Sequence, residues 1–320
     1  MPVLLCGILN ALLHYKNKNK KINIKVYVHV DAIQMIRVKI FCTFASSENC
    51  KETYERINCA GGMQFHGEDK KIHITANDDY THAIIINTAM PPLKIPKQNV
   101  MGLAFEPVQF LGMTPEFVNY AIKHIGKYLI GDVVSGMPAL FVPHFGYLWY
   151  SPPPPPLTEL TMKNRIMSII VSNKLTAPGH QYRHKLTQEI IKRGLPIDIY
   201  GNGSSNYSFH TVKGPFDDDV QPYRHYLFSI CIENFKSGHY FSEKIITPLL
   251  HNCLPIYHGC TNIHAYFDKG DVITLKGRVE HDIQLLIAIL KNPRMYYRHT
   301  CTDKNKKTVN LIENLEHLFS

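Results

Sequence analysis

Short apolar runs alternate with amphipathic segments along most of this 320-residue chain. In the first half, the apolar runs have the length and composition of buried strands, and they cover 24–30, 38–44, 72–75, 83–87 and 100–105. Between them, apolar residues recur at helical spacing in two segments, 48–57 and 115–124. This alternation predicts an α/β domain built around a mainly parallel sheet.

A second series of strands and helices follows five consecutive prolines at 152–156. Strands are predicted at 165–172, 197–200, 228–232, 255–259 and 272–275, and helices at 181–193, 244–252, 279–290 and 308–319. Pro248 falls inside one of these helices, where a proline removes a backbone hydrogen bond. We therefore expect the helix at 244–252 to be short or kinked.

The prolines are the natural boundary between the two series. A polyproline segment is stiff and extended and has no backbone donors with which to join a sheet. We interpret 152–157 as a linker between an N-terminal domain, 1–151, and a second domain, 158–302, with 303–320 as a last helix that packs back on the first domain. This predicts two Rossmann-like α/β domains facing each other across a cleft.

Composition and charge narrow the class of partner. A hydrophobic content of 45% is enough for ordinary cores. A net charge of +9 indicates a phosphorylated or polyanionic partner, so a nucleic acid and a sugar nucleotide are both candidates. The lysine clusters at 16–21 and 304–307 are not accompanied by a nucleic-acid-binding motif, and we interpret them as solvated surface.

Cysteine usage and the N-terminal residues bear on compartment. None of the eight cysteines form a Cys-x-x-Cys motif, which favours a reducing environment. The apolar stretch at 3–13 is shorter than the ~20 residues of a membrane-spanning helix and has no signal-peptide features. A cytoplasmic location is therefore expected, and Golgi-type anchoring is not.

Metal binding is not expected from the sequence. The eighteen histidines do not occur at ligand spacing. The run Asp217–Asp219 follows Gly214-Pro215, and we interpret it as a turn with solvated charges.

The segment 228–259 concentrates the chemistry. An apolar strand leads into polar residues, then a helix and a second strand, which is a βαβ unit. Ligands bind where strand carboxyl ends meet helix N-termini, and free N–H groups there favour phosphate. That edge carries two carboxylates, an amide, a phenol and an ammonium, from Glu233, Asn234, Tyr240, Glu243 and Lys244. These features predict a nucleotide site.

The same segment resembles the donor-binding motif of the family-10 α1,3/4-fucosyltransferases. Nine positions fall in register with that motif: Phe228, Glu233, Asn234, Tyr240, Ser242, Glu243, Lys244, Pro255 and Gly259. The resemblance implies a GT-B fold, a GDP-β-L-fucose donor, inversion at the sugar carbon and no required metal or other cofactor. It also implies that Tyr240 and Glu243 contact the nucleotide and sugar hydroxyls, that Asn234 binds the donor or orders the loop, and that Lys244 meets a phosphate.

Two other segments resemble parts of the same family. Ser172, Asn173 and Lys174 after a strand, followed by Arg183 in a helix, look like the module whose arginine contacts the pyrophosphate; Lys174 is a weaker candidate for that contact. A guanidinium binds diphosphate oxygens in a bidentate manner. Glu106 ends a first-domain strand as the family's proposed base does, although the match there is looser, and Glu116 is the fallback.

Together these features predict an inverting transferase that moves L-fucose from GDP-β-L-fucose to a hydroxyl of an acceptor glycan, through an α1,3-type linkage. The expected partners are GDP-fucose and the acceptor, with no nucleic acid. Three alternatives stay open at this point: a transferase that uses another nucleotide sugar, a non-catalytic nucleotide- or glycan-binding protein on the same scaffold, and a nucleic-acid binder, for which only the charge speaks.

Overall fold

The fold is taken from a computed structural model that describes residues 35–58, 66, 71–146, 162–300 and 302–319. The strand expected at 24–30 and the polyproline linker lie outside these residues. The described residues contain two six-stranded sheets, and their strands are parallel throughout.

The first sheet has the order β2-β1-β3-β4-β5-β6. Its strands are β1 (Ile36–Phe41), β2 (Ile72–Ile74), β3 (His82–Ile86), β4 (Val100–Leu103), β5 (Lys127–Leu129) and β6 (Phe141–Val142). Three helices accompany it: α1 (Ser47–Asn58), α2 (Val108–Leu111) and α3 (Pro115–His124). Every residue of β4 is buried, because a parallel sheet covered on both faces needs continuous apolar strands.

The second sheet has the order β9-β8-β7-β10-β11-β12. Its strands are β7 (Arg165–Ile170), β8 (Asp198–Tyr200), β9 (Val212–Gly214), β10 (Tyr226–Ile232), β11 (Leu254–His258) and β12 (Ile273–Thr274). Its helices are α4 (Pro178–Lys192), α5 (Gln221–Arg224), α6 (Glu243–Leu250), α7 (Val279–Lys291) and α8 (Pro293–Tyr296).

In each sheet the order of the strands reverses at one point. In the second sheet the reversal lies between β7 and β10, which is the strand order of the Rossmann fold. In the first sheet it lies between β1 and β3. Crossover connections leave these two neighbours in opposite directions, so a crevice opens beyond their carboxyl ends and binds ligands in such folds.

The last residues form two helices, α9 (Thr302–Val309) and α10 (Leu311–Phe319). The prediction of one continuous helix at 308–319 is therefore wrong, because the chain leaves helical geometry at Asn310. The ring of Phe319 packs edge-on against His82 of β3, with centroids 4.7 Å apart. Leu315 is fully buried in a core that also contains Ile84 of β3 and Leu249 of α6.

Candidate functional site

A cleft of about 430 Å³ opens beyond the carboxyl ends of β7 and β10. This volume falls within the ~300–1,000 Å³ that small-molecule sites usually have. The polar side chains lining it belong to Ser172, Lys174, His180, Arg183, Asp219, Tyr223, Asn234, Glu243, Lys244 and Thr247. Six of the nine predicted site residues are in this set: Ser172, Lys174, Arg183, Asn234, Glu243 and Lys244.

The N-terminus of α6 is held by a buried carboxylate. Glu233 directly follows β10 and is 1% exposed. It accepts hydrogen bonds from the backbone N–H of Ser242 at 2.8 Å and from the Ser242 hydroxyl at 2.7 Å. Ser242 in turn is the N-cap residue of α6. Burial raises the pKa of Glu233, although Lys244 opposes the shift. Glu233 therefore orients the start of the helix.

Lys244 lies among carboxylates at the mouth of the cleft. Its ammonium is 2.9 Å from Glu243 Oε1 and 3.8 Å from Glu233 Oε2. Burial lowers the pKa of Lys244, but Glu243 and Glu233 outweigh that effect and leave the pKa above its ordinary value. The lysine is therefore a fixed cation in the first turn of α6.

Arg183 provides a second cation from α4. It is 5% exposed, lines the cleft and donates from Nη2 to the carbonyl oxygen of Ile232, the last residue of β10. Burial lowers the pKa of Arg183, with Glu233 and Glu243 opposing, yet a guanidinium stays protonated in proteins. One hydrogen bond to a carbonyl leaves most of its five N–H donors for a ligand.

The N-terminus of α4 approaches the end of β10 very closely. The N–H of Gly179 donates to the carbonyl of Asn234 at 2.9 Å. A Cβ added at Gly179 would stand 1.8 Å from the carbonyl oxygen of Glu233. A glycine is required here because any side chain would push the helix away from the strand.

Two histidines of α4 orient predicted site residues, and sequence reasoning missed both roles. The His180 ring accepts a hydrogen bond from Ala177 N–H at 3.2 Å and also hydrogen-bonds the side chain of Asn234. Burial, together with the charge of Arg183, lowers the pKa of His180 and so favours the neutral ring. His184 Nε2 donates to the carbonyl of Ser172 at 2.8 Å. Their helical position beside Arg183 was the only signal in the sequence.

Asn173 and Tyr240 are not part of the cleft lining. Asn173 is exposed, and its side-chain oxygen accepts from Asn206 at 3.4 Å. Tyr240 is 6% exposed, within the loop that precedes Ser242. The donor contacts expected of these two residues stay predictions.

Glu106 belongs to the first sheet's part of the chain and is not in the cleft lining, but it lies near charged residues of that lining. It follows the β4 strand and precedes α2, whose Phe110 packs edge-on against Phe235 with centroids 4.6 Å apart. The residue is exposed, yet nearby protein atoms still raise the pKa of the Glu106 carboxyl; Lys244 and Lys174 oppose that shift and Glu243 adds to it. These three partners all line the cleft, so the carboxylate lies within electrostatic reach of it. The fallback Glu116 is an exposed residue in the first turn of α3, where it favours the helix dipole.

Asp132 connects a loop of the first sheet to a loop of the second sheet through hydrogen bonds. The sequence did not indicate this contact. Its carboxylate accepts from the Ser237 hydroxyl at 3.0 Å and from the backbone N–H of Gly238. Asp132 follows β5, whereas 237–238 belong to the loop before α6. This contact fixes the loop that carries Tyr240 relative to the first sheet.

A second cleft, of about 420 Å³, lies beyond the carboxyl ends of β1 and β3, where the first sheet reverses its strand order. Its lining is composed mostly of small and hydroxyl-bearing residues: Phe41, Cys42, Thr43, Ala45, Ser46, Ser47, Thr88, Ala89, Met90 and Pro91.

A search of the described residues finds no helix that is both long and apolar enough to cross a membrane. Among those same residues, no three or more His, Cys, Asp or Glu side chains are grouped so as to hold a metal ion.

Comparisons with known proteins agree with this geometry. Residues 160–317 match the model of the glycosyltransferase family 10 (fucosyltransferase) C-terminal region. A solved α1,3-fucosyltransferase with GDP superposes with a TM-score of 0.51 and 12% identity, covering 90% of this chain and 89% of that one. That likeness confirms the fold, two Rossmann-like sheets in the GT-B arrangement.

Two curated relatives match shorter stretches. GDP-fucose protein O-fucosyltransferase 3 of Xenopus tropicalis is 27% identical over 122 residues, which is 36% of this chain. The putative fucosyltransferase R654 of Acanthamoeba polyphaga mimivirus is 24% identical over 101 residues, 29% of this chain. The matched stretches cover 26% and 17% of these relatives' own lengths. The family-10 match covers the whole second sheet with its cleft, so residues 160–317 are similar to the C-terminal region of the family-10 fucosyltransferases.

Proposed function

We propose that this chain transfers L-fucose from GDP-β-L-fucose to a hydroxyl group of an acceptor glycan, with inversion, to form an α1,3-type linkage. The observation that carries the proposal is that Arg183 and Lys244 line one cleft, while Glu106 from the other sheet lies within electrostatic reach of Lys244. The match of residues 160–317 to the family-10 fucosyltransferase model supports the choice of fucose over other sugars.

Departure of GDP requires stabilisation of the charge that builds on the diphosphate. The bond between fucose C1 and the β-phosphate oxygen breaks, and both bonding electrons leave with GDP. Arg183 offers a planar fork of donors, and Lys244 adds a point charge beside the N–H groups of α6. Preorganised cations of this kind are worth more in a site shielded from water than in solution.

Activation of the acceptor is assigned to Glu106. The acceptor oxygen forms the new bond to C1 from the face opposite the leaving group, while its proton passes to the Glu106 carboxylate. A base works best when its pKa is close to the working pH, and the raised pKa of Glu106 moves it in that direction. Glu243 and Asn234, both on the cleft wall, are suited to bind donor hydroxyls.

The second cleft is the place proposed for the acceptor glycan. It lies beyond the ends of β1 and β3, in the sheet that also carries Glu106, and its lining has several hydroxyl groups. Thr43 is exposed on this lining, so Thr43→Trp would fill the cleft. We expect it to raise the acceptor KM by at least ~10-fold and to leave the KM for GDP-fucose unchanged. Glu52→Trp, exposed on α1 away from the lining, is the control, and equal effects of the two variants would contradict the assignment.

The decisive assay measures GDP release from GDP-fucose with galactose-, glucose- and N-acetylglucosamine-containing acceptors. Release above the rate of hydrolysis is expected with at least one of them, with slower turnover of UDP-sugars, and unchanged in the presence of EDTA. Tight GDP binding without release for any acceptor would instead favour a non-catalytic binding protein. The domain limits at 151 and 158 and the cytoplasmic location stay predictions.

A further inference from the structure

The three carboxylates of Asp217–Asp219 have different surroundings, although the sequence predicts the same solvated turn for all of them. Asp218 is engaged: its Oδ2 lies 2.6 Å from Arg224 Nη2, and its Oδ1 accepts from the N–H of Val220 at 3.0 Å. Asp217 is exposed and is not part of the cleft lining. Asp219 is exposed too, as a solvated turn predicts, but it also lines the cleft.

Asp219 is also uncompensated. Within the part of the chain that the structure describes, no hydrogen bond or ion pair engages its carboxylate. A carboxylate facing a cleft that receives an anionic diphosphate is unfavourable unless the ligand itself brings hydrogen-bond donors. Because Asp219 is exposed, water solvates its carboxylate, and a ligand that displaces this water has to offer hydrogen-bond donors in its place.

Asp219 comes from a different part of the chain than the two cations proposed to bind phosphate. Asp219 and Phe216 come from the loop between β9 and α5, whereas Arg183 belongs to α4 and Lys244 to α6. The ring of Phe216 is half-buried, lines the same cleft and is held edge-on to Tyr200 with centroids 6.3 Å apart. An aromatic ring and a carboxylate on one loop form a suitable recognition unit for a planar base.

We propose that Asp219 recognises the guanine base of the donor, with Phe216 as the apolar wall beside it. Guanine presents two adjacent donors, N1–H and the 2-amino group, which match the two oxygens of a carboxylate. Uracil presents a single N–H between two carbonyls, and adenine presents a ring acceptor beside its amino group; neither pairs with a carboxylate in this way. This inference rests on the proposed function, because it names the part of the donor that Asp219 selects.

The test compares Asp219→Asn with Asp217→Asn, an equally conservative change on the neighbouring exposed residue. Binding of GDP, UDP, ADP and xanthosine diphosphate to the full chain is measured by titration calorimetry. Asp219→Asn should weaken GDP by about 10- to 100-fold, the usual worth of charge-assisted hydrogen bonds, and leave UDP and ADP unchanged. Xanthosine diphosphate should gain affinity, since an amide donates to its 2-carbonyl oxygen and accepts from N1–H. Asp217→Asn should alter none of the four.

Several outcomes would overturn the inference. Equal weakening of GDP and UDP would place Asp219 at the ribose or phosphates, and unchanged GDP affinity would remove it from recognition altogether. Wild-type protein that binds UDP as tightly as GDP would also exclude base reading. Failure of the proposed function is distinguishable, because a protein that prefers GDP through Asp219 and yet transfers no fucose contradicts only the transferase proposal.

Discussion

The start of α6 brings three charged side chains together, and their contacts decide how a phosphate group would be bound. Glu233 accepts two hydrogen bonds from Ser242, while Glu243 forms an ion pair with Lys244 at 2.9 Å. The lysine charge is thus balanced in the absence of ligand, and an incoming phosphate competes with Glu243 for it. Arg183 has no carboxylate within ion-pairing distance among the described residues, and its hydrogen bond goes to a carbonyl. Arg183 is therefore the readier partner for the diphosphate.

Replacing Arg183 tests whether it is the main partner of the diphosphate. Arg183→Lys keeps a positive charge but loses the planar fork, so we expect the Kd for GDP to rise by about 10- to 100-fold. Isothermal titration measures the change. Arg193→Lys is the matched control, because Arg193 ends the same helix in an exposed ion pair with Glu189 and is remote from the cleft lining. An affinity loss of similar size in both variants would assign the effect to helix α4 as a whole.

Glu106 makes the pH dependence of the reaction predictable. A protonated carboxyl cannot accept the acceptor's proton, so kcat should fall as the pH drops through the pKa of Glu106. Because desolvation by nearby protein atoms and Glu243 raise that pKa, the acid limb should lie above the ordinary glutamate value of ~4.3. Measurement of kcat against pH locates the limb.

Glu106→Gln should lower kcat by about 10²- to 10⁴-fold, abolish the acid limb and leave the affinity for GDP close to that of the wild type. Glu116→Gln serves as the control, since Glu116 occupies the exposed first turn of α3. If Glu116→Gln lost activity and Glu106→Gln kept it, the fallback base would be the correct one.

At the scale of secondary structure, the site depends on how closely two helix N-termini approach the end of β10. α6 is tied to it through Ser242 and Glu233, and α4 through Gly179 and Asn234. α6 itself has eight residues with Pro248 inside, which agrees with the short helix expected from the sequence.

The close contact of α4 with β10 can be tested by adding one methyl group at Gly179. Gly179→Ala places a Cβ against the carbonyl of Glu233, so the helix must move, at a cost of about 1–3 kcal/mol for overpacking. We expect a lower Tm and weaker GDP binding, because Arg183 moves with α4. Gly270→Ala, where an added Cβ meets nothing within 4 Å, should change neither quantity. A Gly179→Ala protein with wild-type Tm and GDP affinity would show that α4 has room to shift.

At the scale of the whole molecule, contacts between the two sheets bring Glu106, the proposed general base, towards the proposed GDP-fucose cleft. The stacked rings of Phe145 and Phe241 are 4.5 Å apart, and Phe110 contacts Phe235. Asp132 adds hydrogen bonds to Ser237 and Gly238. In the proposed function the second sheet binds GDP, whereas transfer also needs Glu106 from the first, so these contacts should affect the two steps differently.

Asp132→Ala separates binding from transfer. Loss of its hydrogen bonds should loosen the 237–238 loop, and kcat should fall about 10-fold, the effect of ~1.4 kcal/mol, while the Kd for GDP changes little. Single-turnover kinetics and GDP titration measure the two. Asp78→Ala, which removes a surface ion pair with Lys39 in the same half of the chain, is the control. Equal loss of GDP affinity and turnover would mean that Asp132 shapes the nucleotide site itself.

The sequence by itself determined the elements and residues whose signals are local. Helices such as α3 and α7, and most strands, were predicted closely, because apolar periodicity within one segment decides them. The polar cluster between β10 and α6 was equally visible, since motif spacing places Glu243 and Lys244 at a helix start. Strands β5, β6 and β9 were missed because each has only two or three residues and forms through pairing with a distant neighbour.

Tertiary structure alone decided which of these local features share a cleft. The strand order puts β7 beside β10, and that pairing brings Arg183 to Lys244 and leaves Asn173 and Tyr240 outside the lining. The tertiary structure also puts Asp219, but not Asp217, in the cleft lining. It brings Glu106 near charged residues of the other sheet. The physical reason is that side chains far apart in sequence meet only through sheet order and packing between domains, and neither is encoded in the spacing of a single segment.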